Sequence, residues 1–407
     1  MKTKRIFNLM IIILTAALVT WYSILWINYV RTPAQLNESD FRAFYTAGLI
    51  ADRYGFNQVY DLELEQSIQE TVKGAPIPQA ELLTYNHPPL LLPVLALAAF
   101  LNYSTAYKFY GLFLLLLALA ALLFFYKGLR SKNWRVKPIV LTLLSILLFE
   151  PLFISFLKDQ DTALLLLGLA IWFHGILRED DRQAGLGLAL TVIRPQISIF
   201  LAIPFLFRQR KVLGWYLMGA SLLSIYSLLL VSGQGLKDFL NLIIVSSSGQ
   251  DYGLNTFAMF NITGMVIRIF PAINSNLLTL VKWGFYGLAL MGMILVWKKN
   301  SRIELRHVVL LVICSLFFSP HLHYHDLTAL LVPLVAMLMI WVDRAVIQDK
   351  KAALLILCIS VFLVIGSIFS AVYHIFPYIL MIFILAGAWH PEWFTLRNHN
   401  LQKKTDQ

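Results

Sequence analysis

Apolar runs of about 20 residues recur from one end of the chain to the other, and they limit its possible folds more than any other feature. A helix of that length crosses the roughly 30 Å hydrocarbon core of a bilayer. The composition agrees, because 59% of the 407 residues are hydrophobic and only 14% are charged. We therefore predict an all-α, polytopic transmembrane helical bundle of about 10–12 membrane segments, with interfacial helices on its outer face.

The net charge of +11 does not indicate nucleic-acid binding, because the Lys and Arg residues form short clusters between apolar runs. Cytoplasmic loops of membrane proteins carry such clusters. Lys2, Lys4 and Arg5 precede the first run, which is longer than a signal-peptide core. The sequence therefore predicts an uncleaved first span and cytoplasmic N- and C-termini. Cys314 and Cys358 lie inside apolar runs and are assigned to helix packing.

Threading the chain through a membrane on this basis gives four regions. They are a first transmembrane helix (1–30), an extracytoplasmic loop (31–102), a transmembrane bundle (103–390) and a cytoplasmic tail (391–407). Within the loop, Phe41–Tyr54 and Leu62–Val72 have apolar residues at helical spacing and are predicted to lie on the membrane face. Pro88–Leu101 is too short to cross comfortably, so it is predicted to be interfacial or re-entrant. The depth of the short segment Phe257–Ile269 stays open.

The pair Arg194-Pro195 interrupts the apolar stretch Ala184–Phe207 near its middle. Proline lacks a helical N–H and disfavours helix at the residue before it, so the helix is predicted to break at Arg194. Basic residues flank both ends of the stretch, which favours two half-helices folded as a hairpin. An arginine at this depth is a candidate anion site, because it offers several donors to a phosphate. A snorkelling arginine is the alternative, but either flank is about ten residues away.

Polar residues from separate loops converge on the outer side in this threading. They are Asp40, Arg42, Asp61, His87, Asp159, Gln160, Asp161, His321, His323, His325 and Asp326. Asp40 directly follows the first span and can serve as a helix N-cap, a catalytic base or both. The alternate histidines of Ser319–Asp326 could line up as metal ligands, although one histidine that moves a proton needs fewer assumptions.

Several short motifs occur in a fixed order relative to the spans. They are Asp40-Phe-Xaa-Xaa-Xaa-Tyr45, Val59-Tyr60-Asp61, Tyr85 with Pro88-Pro89, Gln160, Arg194-Pro195, and Ser319-Pro320 followed by His325. Over most of its length the chain thus resembles the GT-C superfamily of membrane glycosyltransferases, and specifically glycosyltransferase family 87. That family includes polyprenol-phosphate-mannose-dependent alpha-1,2-mannosyltransferases. The sequence departs from the family pattern at the inserted Asn86-His87, at Arg194 in place of Lys, and at Asp161 and Asp326.

The resemblance implies an inverting transfer of a hexose, with mannose as the expected sugar, from a polyprenyl-phosphate sugar on the extracytoplasmic face. The acceptor would be a lipid or a glycan, membrane lipids would be the other partners, and neither a metal nor a cofactor would be required. Asp40 would be the general base, with His325 as a second catalytic residue, and Arg194 would hold the departing phosphate. The remaining expected substrate-binding residues are Tyr45, Tyr60, Asp61, His87, Gln160, Asp161, His321 and His323.

Three other functions fit parts of the sequence. A transporter or flippase of lipid-linked or polyanionic substrates also gathers charges around a broken helix. A polysaccharide polymerase or ligase would share the large outer loop, and a protein that binds polyprenyl lipid without catalysis would fit the altered family pattern. A transporter needs a site near the midplane, so the one-sided placement of the polar residues favours the enzyme. The sequence has no Walker loop or dinucleotide fingerprint that would indicate a cytoplasmic nucleotide site.

Overall fold

The computed structural model describes residues 2–32, 39–248, 256–299, 303–369 and 374–394. These residues form α-helices and short 3-10 turns and contain no β-strand, as the sequence predicts. Most of the predicted tail, 391–407, lies outside the described residues. In chain order the helices are α1 (Lys2–Arg31), α2 (Phe41–Arg53), α3 (Leu62–Lys73), α4 (Leu92–Ala99), α5 (Tyr103–Ser131), α6 (Val136–Leu147), α7 (Glu150–Leu157), α8 (Thr162–Arg178), α9 (Asp181–Leu190), α10 (Pro195–Phe207), α11 (Arg210–Ser248), α12 (Ile262–Ile269), α13 (Ser275–Lys299), α14 (Leu305–Phe317), α15 (Leu331–Asp343), α16 (Ala352–Ile368) and α17 (Ile375–Trp389).

Several helical segments are long and apolar enough to cross a membrane. Within the described residues six segments meet that criterion: Arg5–Arg31, Tyr103–Ser131, Arg210–Val245, Ser275–Lys299, Tyr324–Asp343 and Asp349–Ile368. The pair α6 and α7 is a further candidate and is bent by 47° at its break, where the apolar run Pro138–Phe156 predicts one span. Pro151 in the first turn of α7 explains the bend, because it cannot donate to the preceding turn. The chain is therefore a polytopic helical membrane protein.

Five other apolar helices are shorter. They are Pro89–Ala99, Thr162–Arg178, Pro195–Phe207, Leu305–Phe317 and Ile375–Trp389. Helices α10 and α14 have 13 residues each, so at 1.5 Å per residue they are only about 20 Å long. The first four of these helices begin or end at a loop that carries candidate site residues. The short helices thus determine where the polar loops meet.

The break predicted at Arg194 is present. Helix α9 ends at Leu190, a 3-10 turn covers Thr191–Ile193, and α10 begins at Pro195. The two half-helices pack against different neighbours: α9 lies between α8 and α11, whereas α10 packs mainly against α11, α13 and α14. Two glycines allow α9 to approach its neighbouring helices closely. A Cβ atom at Gly187 would clash with the backbone of α8, and one at Gly185 with α11.

Helix α2 is enclosed, although the sequence predicts that it lies on the membrane face. All residues from Phe41 to Ala51 are buried. Helix α4 packs closely on one side, since a Cβ atom at Gly48 would clash with the carbonyl of Leu95. Helices α3 and α5 cover other sides. The outer segment is therefore an integral part of the bundle. Asp40 is the residue directly before this buried helix.

Candidate active site

Asp40 is the last residue before α2, and its carboxylate reaches the loop between α7 and α8. Gln160 Nε2 donates a hydrogen bond of 2.8 Å to Asp40 Oδ2. The carboxylate does not cap α2, since Ser39 Oγ accepts the hydrogen bond from the Phe41 N–H instead. Asp40 is half-buried, and within the described residues Gln160 is its one side-chain partner. No described side chain contacts its second oxygen, which can therefore accept a proton.

Gln160 is buried, and both its backbone N–H and its backbone carbonyl form hydrogen bonds. Its N–H donates to the Ser155 carbonyl at 2.9 Å, and Ser155 Oγ donates to its carbonyl at 3.2 Å. Because Nε2 donates to Asp40, the side-chain Oε1 is turned away, and it has no hydrogen-bond partner among the described residues. A buried amide oxygen without a donor is an acceptor that a ligand hydroxyl can use.

Asp161, the next residue, points to a different group of side chains. Its Oδ1 accepts a hydrogen bond of 2.9 Å from Arg194 Nη2, and its Oδ2 lies 2.8 Å from His87 Nδ1. Arg194 Nε donates to Asp326 Oδ1 at 3.1 Å. Burial alone would raise the pKa of Asp161, but Arg194 and His87 outweigh it and lower that pKa to about 2. Asp161 is therefore ionised at neutral pH.

Arg194 stands between two carboxylates, and this changes what it can offer a ligand. Its side chain is 8% exposed, and those of Asp161 and Asp326 are 1% exposed. One guanidinium and two carboxylates sum to a charge of −1. Nη1 donates to the Ile193 carbonyl at 3.3 Å, so every nitrogen of the guanidinium already has a protein acceptor. Arg194 thus contributes positive charge with few spare donors.

Asp159 is a third carboxyl group at the same loop. It is fully buried, and its two oxygens have no hydrogen-bond partner among the described residues. Burial raises the pKa of Asp159 well above its ordinary value and so favours the neutral form of this carboxyl group. The ionised carboxylates beside Arg194 are therefore the two that contact it.

A ladder of hydrogen bonds from α3 holds the segment that carries His87. Gln66 Nε2 donates to the Ile77 carbonyl at 3.0 Å, and Gln69 Nε2 donates to the Leu83 carbonyl at 2.6 Å. Farther along, Glu65 Oε1 accepts from the Tyr85 N–H at 2.6 Å. Burial raises the pKa of Glu65 to about 8, against the opposing effect of that hydrogen bond. The segment is thereby fixed up to the residue that approaches Asp161.

The histidine-rich loop between α14 and α15 closes the site. The ring centroids of His321 and His323 are 4.6 Å apart, and those of His323 and His325 are 5.8 Å apart. Burial lowers the pKa of His321 and of His323, so both rings are neutral at pH 7. Asp326 Oδ2 accepts from the His323 N–H at 3.1 Å and lies 3.7 Å from His325 Nε2. No metal-binding group of three or more His, Cys, Asp or Glu residues occurs in the part of the chain that the structure describes.

Three residues expected to bind substrate make other contacts. Asp61 is exposed and caps α3, since its Oδ1 accepts from the backbone N–H groups of Glu63 and Leu64. Tyr45 donates its hydroxyl to the Leu101 carbonyl at 2.8 Å, which joins α2 to the end of α4. Tyr60 donates to the His87 carbonyl at 2.8 Å and so supports His87 from behind. The structure thus brings together Asp40, His87, Gln160, Asp161, Arg194 and the loop of His321, His323 and His325.

A family model described as glycosyltransferase family 87 matches residues 85–320, which is more than half of the chain. The chain belongs to glycosyltransferase family 87. It is therefore a membrane glycosyltransferase. The chain matches none of the curated proteins and none of the solved structures.

The family 87 match covers only part of the site. His87, Gln160, Asp161 and Arg194 lie within the matched residues, whereas Asp40 precedes them. His321, His323, His325 and Asp326 follow directly after the last matched residue. The folded chain brings residues from before and after the matched region into contact with those inside it.

Glu65 and Gln69 were missed in the sequence analysis, and Asp326 was placed on the outer side without being assigned a role. Asp326 is visible in the sequence only as the end of the histidine run, and its partner Arg194 is 132 residues away. Glu65 and Gln69 occupy an otherwise apolar stripe on α3 that begins at Leu62 and ends at Val72. Polar residues on the buried face of a short amphipathic helix are the signal that could have indicated their role.

Proposed function

We propose that this family 87 enzyme transfers a hexose, with mannose as the expected sugar, from a polyprenyl-phosphate sugar to a lipid or glycan acceptor. The observation that carries the proposal is that two adjacent residues, Gln160 and Asp161, contact different groups. Gln160 directs its amide to a carboxylate with a free oxygen, and Asp161 directs its carboxylate to Arg194 and His87. Transfer from a phosphate needs a base at the acceptor and positive charge at the departing group.

The proposed reaction uses the two sides of the loop in one step. Asp40 removes the proton from the acceptor hydroxyl while the oxygen attacks the anomeric carbon. The bond between that carbon and the phosphate oxygen breaks, and its electron pair leaves with the polyprenyl phosphate. Attack opposite the departing group inverts the anomeric configuration. Arg194 stabilises the departing negative charge, while Gln160 and His325 position the sugar; the proton on Asp40 returns to water.

The extracytoplasmic placement of the site is supported by the ends of four helices. Helices α5, α8, α10 and α15 lead away from the Asp40 and Arg194 region. Their far ends carry Arg130, Arg178, Arg208 and Arg344. Positive charge marks the cytoplasmic side of membrane proteins, so the opposite ends face outward. We infer that both termini are cytoplasmic and that the enzyme acts in the cell membrane.

A membrane-bound donor agrees with the remaining features. Helices α1, α11 and α13 expose most of their apolar surface and would contact lipid tails, such as that of a polyprenyl phosphate. We propose membrane lipids, the lipid-linked donor and a lipid or glycan acceptor as the partners, with no separate cofactor or resident metal.

The direct test is a transfer assay with purified protein in lipid nanodiscs. Radiolabelled polyprenyl-phosphate mannose, glucose and arabinose are offered separately with a membrane lipid extract as acceptor, each with and without EDTA. We expect transfer from the mannose donor, unaffected by the chelator. Transfer from another donor would correct the sugar, and loss of transfer with EDTA would contradict the metal-free mechanism. No transfer from any donor would favour lipid transport or binding.

A further inference from the structure

The backbone carbonyl, the ring faces and one ring nitrogen of His87 all contact other residues of the protein. Its Nδ1 lies 2.8 Å from Asp161 Oδ2, and its carbonyl accepts the hydroxyl hydrogen bond of Tyr60. Its ring contacts those of Phe44 and Tyr85, with centroids 4.8 and 5.5 Å away. Within the described residues no hydrogen bond involves Nε2, and the side chain is 12% exposed. A side chain held this firmly presents its remaining nitrogen in a defined direction.

The contacts of Nδ1 determine which nitrogen carries a proton. Nδ1 lies 2.8 Å from Asp161 Oδ2 and 3.2 Å from Arg194 Nη1, but it cannot donate to the first and accept from the second together. The carboxylate contact is shorter and involves an ionised partner, so we assign the proton to Nδ1. The Arg194 contact is then a close approach between two donors. Nε2 accepts when the ring is neutral and donates when it is protonated.

The charges around His87 leave one negative charge that a further cation would balance. Arg194 with Asp161 and Asp326 leaves one negative charge uncompensated, and an imidazolium would neutralise it. Arg194 has its guanidinium nitrogens already directed at protein acceptors. A phosphate that enters this side of the site would meet positive charge from Arg194 but would need a donor from elsewhere. Nε2–H of His87 is the donor that the local contacts leave available.

We propose that His87, as an imidazolium, binds the donor phosphate through Nε2–H and stays hydrogen-bonded to it as the glycosidic bond breaks. This inference rests on the proposed function, since it assigns the phosphate contact of that same site. Asp161 orients the ring, and Arg194 acts from behind it through charge. No proton leaves the imidazolium in this step; the hydrogen bond shortens as negative charge grows on the departing oxygen.

Binding of the reaction product tests this role without requiring transfer. The probes are farnesyl phosphate and farnesol, which differ in the phosphate alone, and the measured quantity is the ratio of their dissociation constants. We expect the wild-type protein to prefer the phosphate at least tenfold. His87→Gln keeps an N–H donor but loses the positive charge, so we expect that preference to fall about tenfold. His87→Lys restores a cation and should recover much of the preference.

His174→Gln is the matched control, because His174 lies near the far end of α8 with its Nδ1 2.9 Å from the neutral Gln183 side chain. It should leave the preference unchanged. An unchanged preference in folded His87→Gln would overturn the inference, as would a wild-type protein that binds both probes equally. If His87→Gln does not fold, a His87→Lys protein without phosphate preference would overturn it. Another outcome is a phosphate preference that depends on His87 in a protein that transfers no sugar. That result would contradict the proposed function and still support the phosphate site.

Discussion

Gln160 donates a hydrogen bond to Asp40, and the next residue along the loop is Asp161, yet the surroundings of these two carboxylates differ. Asp40 is half-buried with Gln160 as its described side-chain partner, whereas Asp161 is 1% exposed and contacts both Arg194 and His87. We call Asp40 with Gln160 the base half, and Asp161, His87, Arg194 and Asp326 the charge half. A carboxylate that accepts a proton must keep one oxygen free. A carboxylate that orients two cationic side chains needs a hydrogen bond at each oxygen. Substitutions in the base half should therefore affect activity alone, whereas those in the charge half should also destabilise the fold.

Asp40→Asn should have the largest effect and should act on activity alone. The amide oxygen can still accept from Gln160, but it cannot take the acceptor proton, so we expect turnover to fall about 10²–10⁴-fold. Initial rates of sugar transfer and thermal unfolding in detergent check both parts. Asp161→Asn is the matched substitution and should lower the unfolding temperature as well. The comparison fails if Asp40→Asn destabilises the protein as much as Asp161→Asn does.

Arg194→Met should destabilise the protein by about 3–5 kcal/mol, because it leaves Asp161 and Asp326 buried without their cation. Denaturant unfolding of the purified variant measures this loss. Adding Asp326→Asn removes one of the two unpaired charges and should restore part of the stability. A double variant no more stable than Arg194→Met would show that the charge half is not held by these ion pairs.

Gln160→Ala should have a smaller effect, about tenfold on turnover, because it removes the hydrogen bond that orients Asp40 and leaves the carboxylate itself in place. The loss should appear mainly in kcat. Gln160→Glu should be worse than Gln160→Ala, since a second carboxylate would repel Asp40. If Gln160→Ala equals the wild-type rate, Asp40 is oriented by something else.

Glu65→Gln should have the smallest effect, visible only through pH. Folded Glu65 keeps its proton up to a pKa of about 8, whereas the ordinary value is 4.5. The folded state therefore binds more protons between these pH values, and the free energy of unfolding falls as pH rises through them. The variant has no such proton to lose, so its unfolding temperature should drop less from pH 5 to pH 8. Equal drops in both proteins would contradict a neutral, buried Glu65.

Local patterns in the sequence predicted the fold well. Helix α5 covers the apolar run from Thr105 to Tyr126, and Pro195 was enough to locate the break at Arg194. The bend between α6 and α7 and the burial of α2 were missed, because both depend on which helices pack nearby. In a bilayer, apolar residues face lipid as readily as protein, so hydropathy does not distinguish a central helix from a peripheral one.

The site was predictable as a set of residues but not as a set of contacts. Charge placement in the loops brought Asp40, His87, Gln160, Asp161 and Arg194 to one side. The pairing of Arg194 with Asp161 and Asp326 spans 33 and 132 residues, so no spacing rule could give it. The cap at Asp61 shows the opposite case, since Asp before a helical stretch is a local signal that the sequence analysis assigned to substrate binding.

The shortness of α10 and α14 has a consequence for the depth of the site. Each is about 10 Å shorter than a hydrocarbon core of roughly 30 Å, and each has one end at the site, next to Arg194 or Ser319. Both helices are mostly buried against other helices, so the missing length does not thin the lipid around them. It places the polar loops below one membrane surface, where a lipid-linked sugar can reach them with its tail still in the membrane.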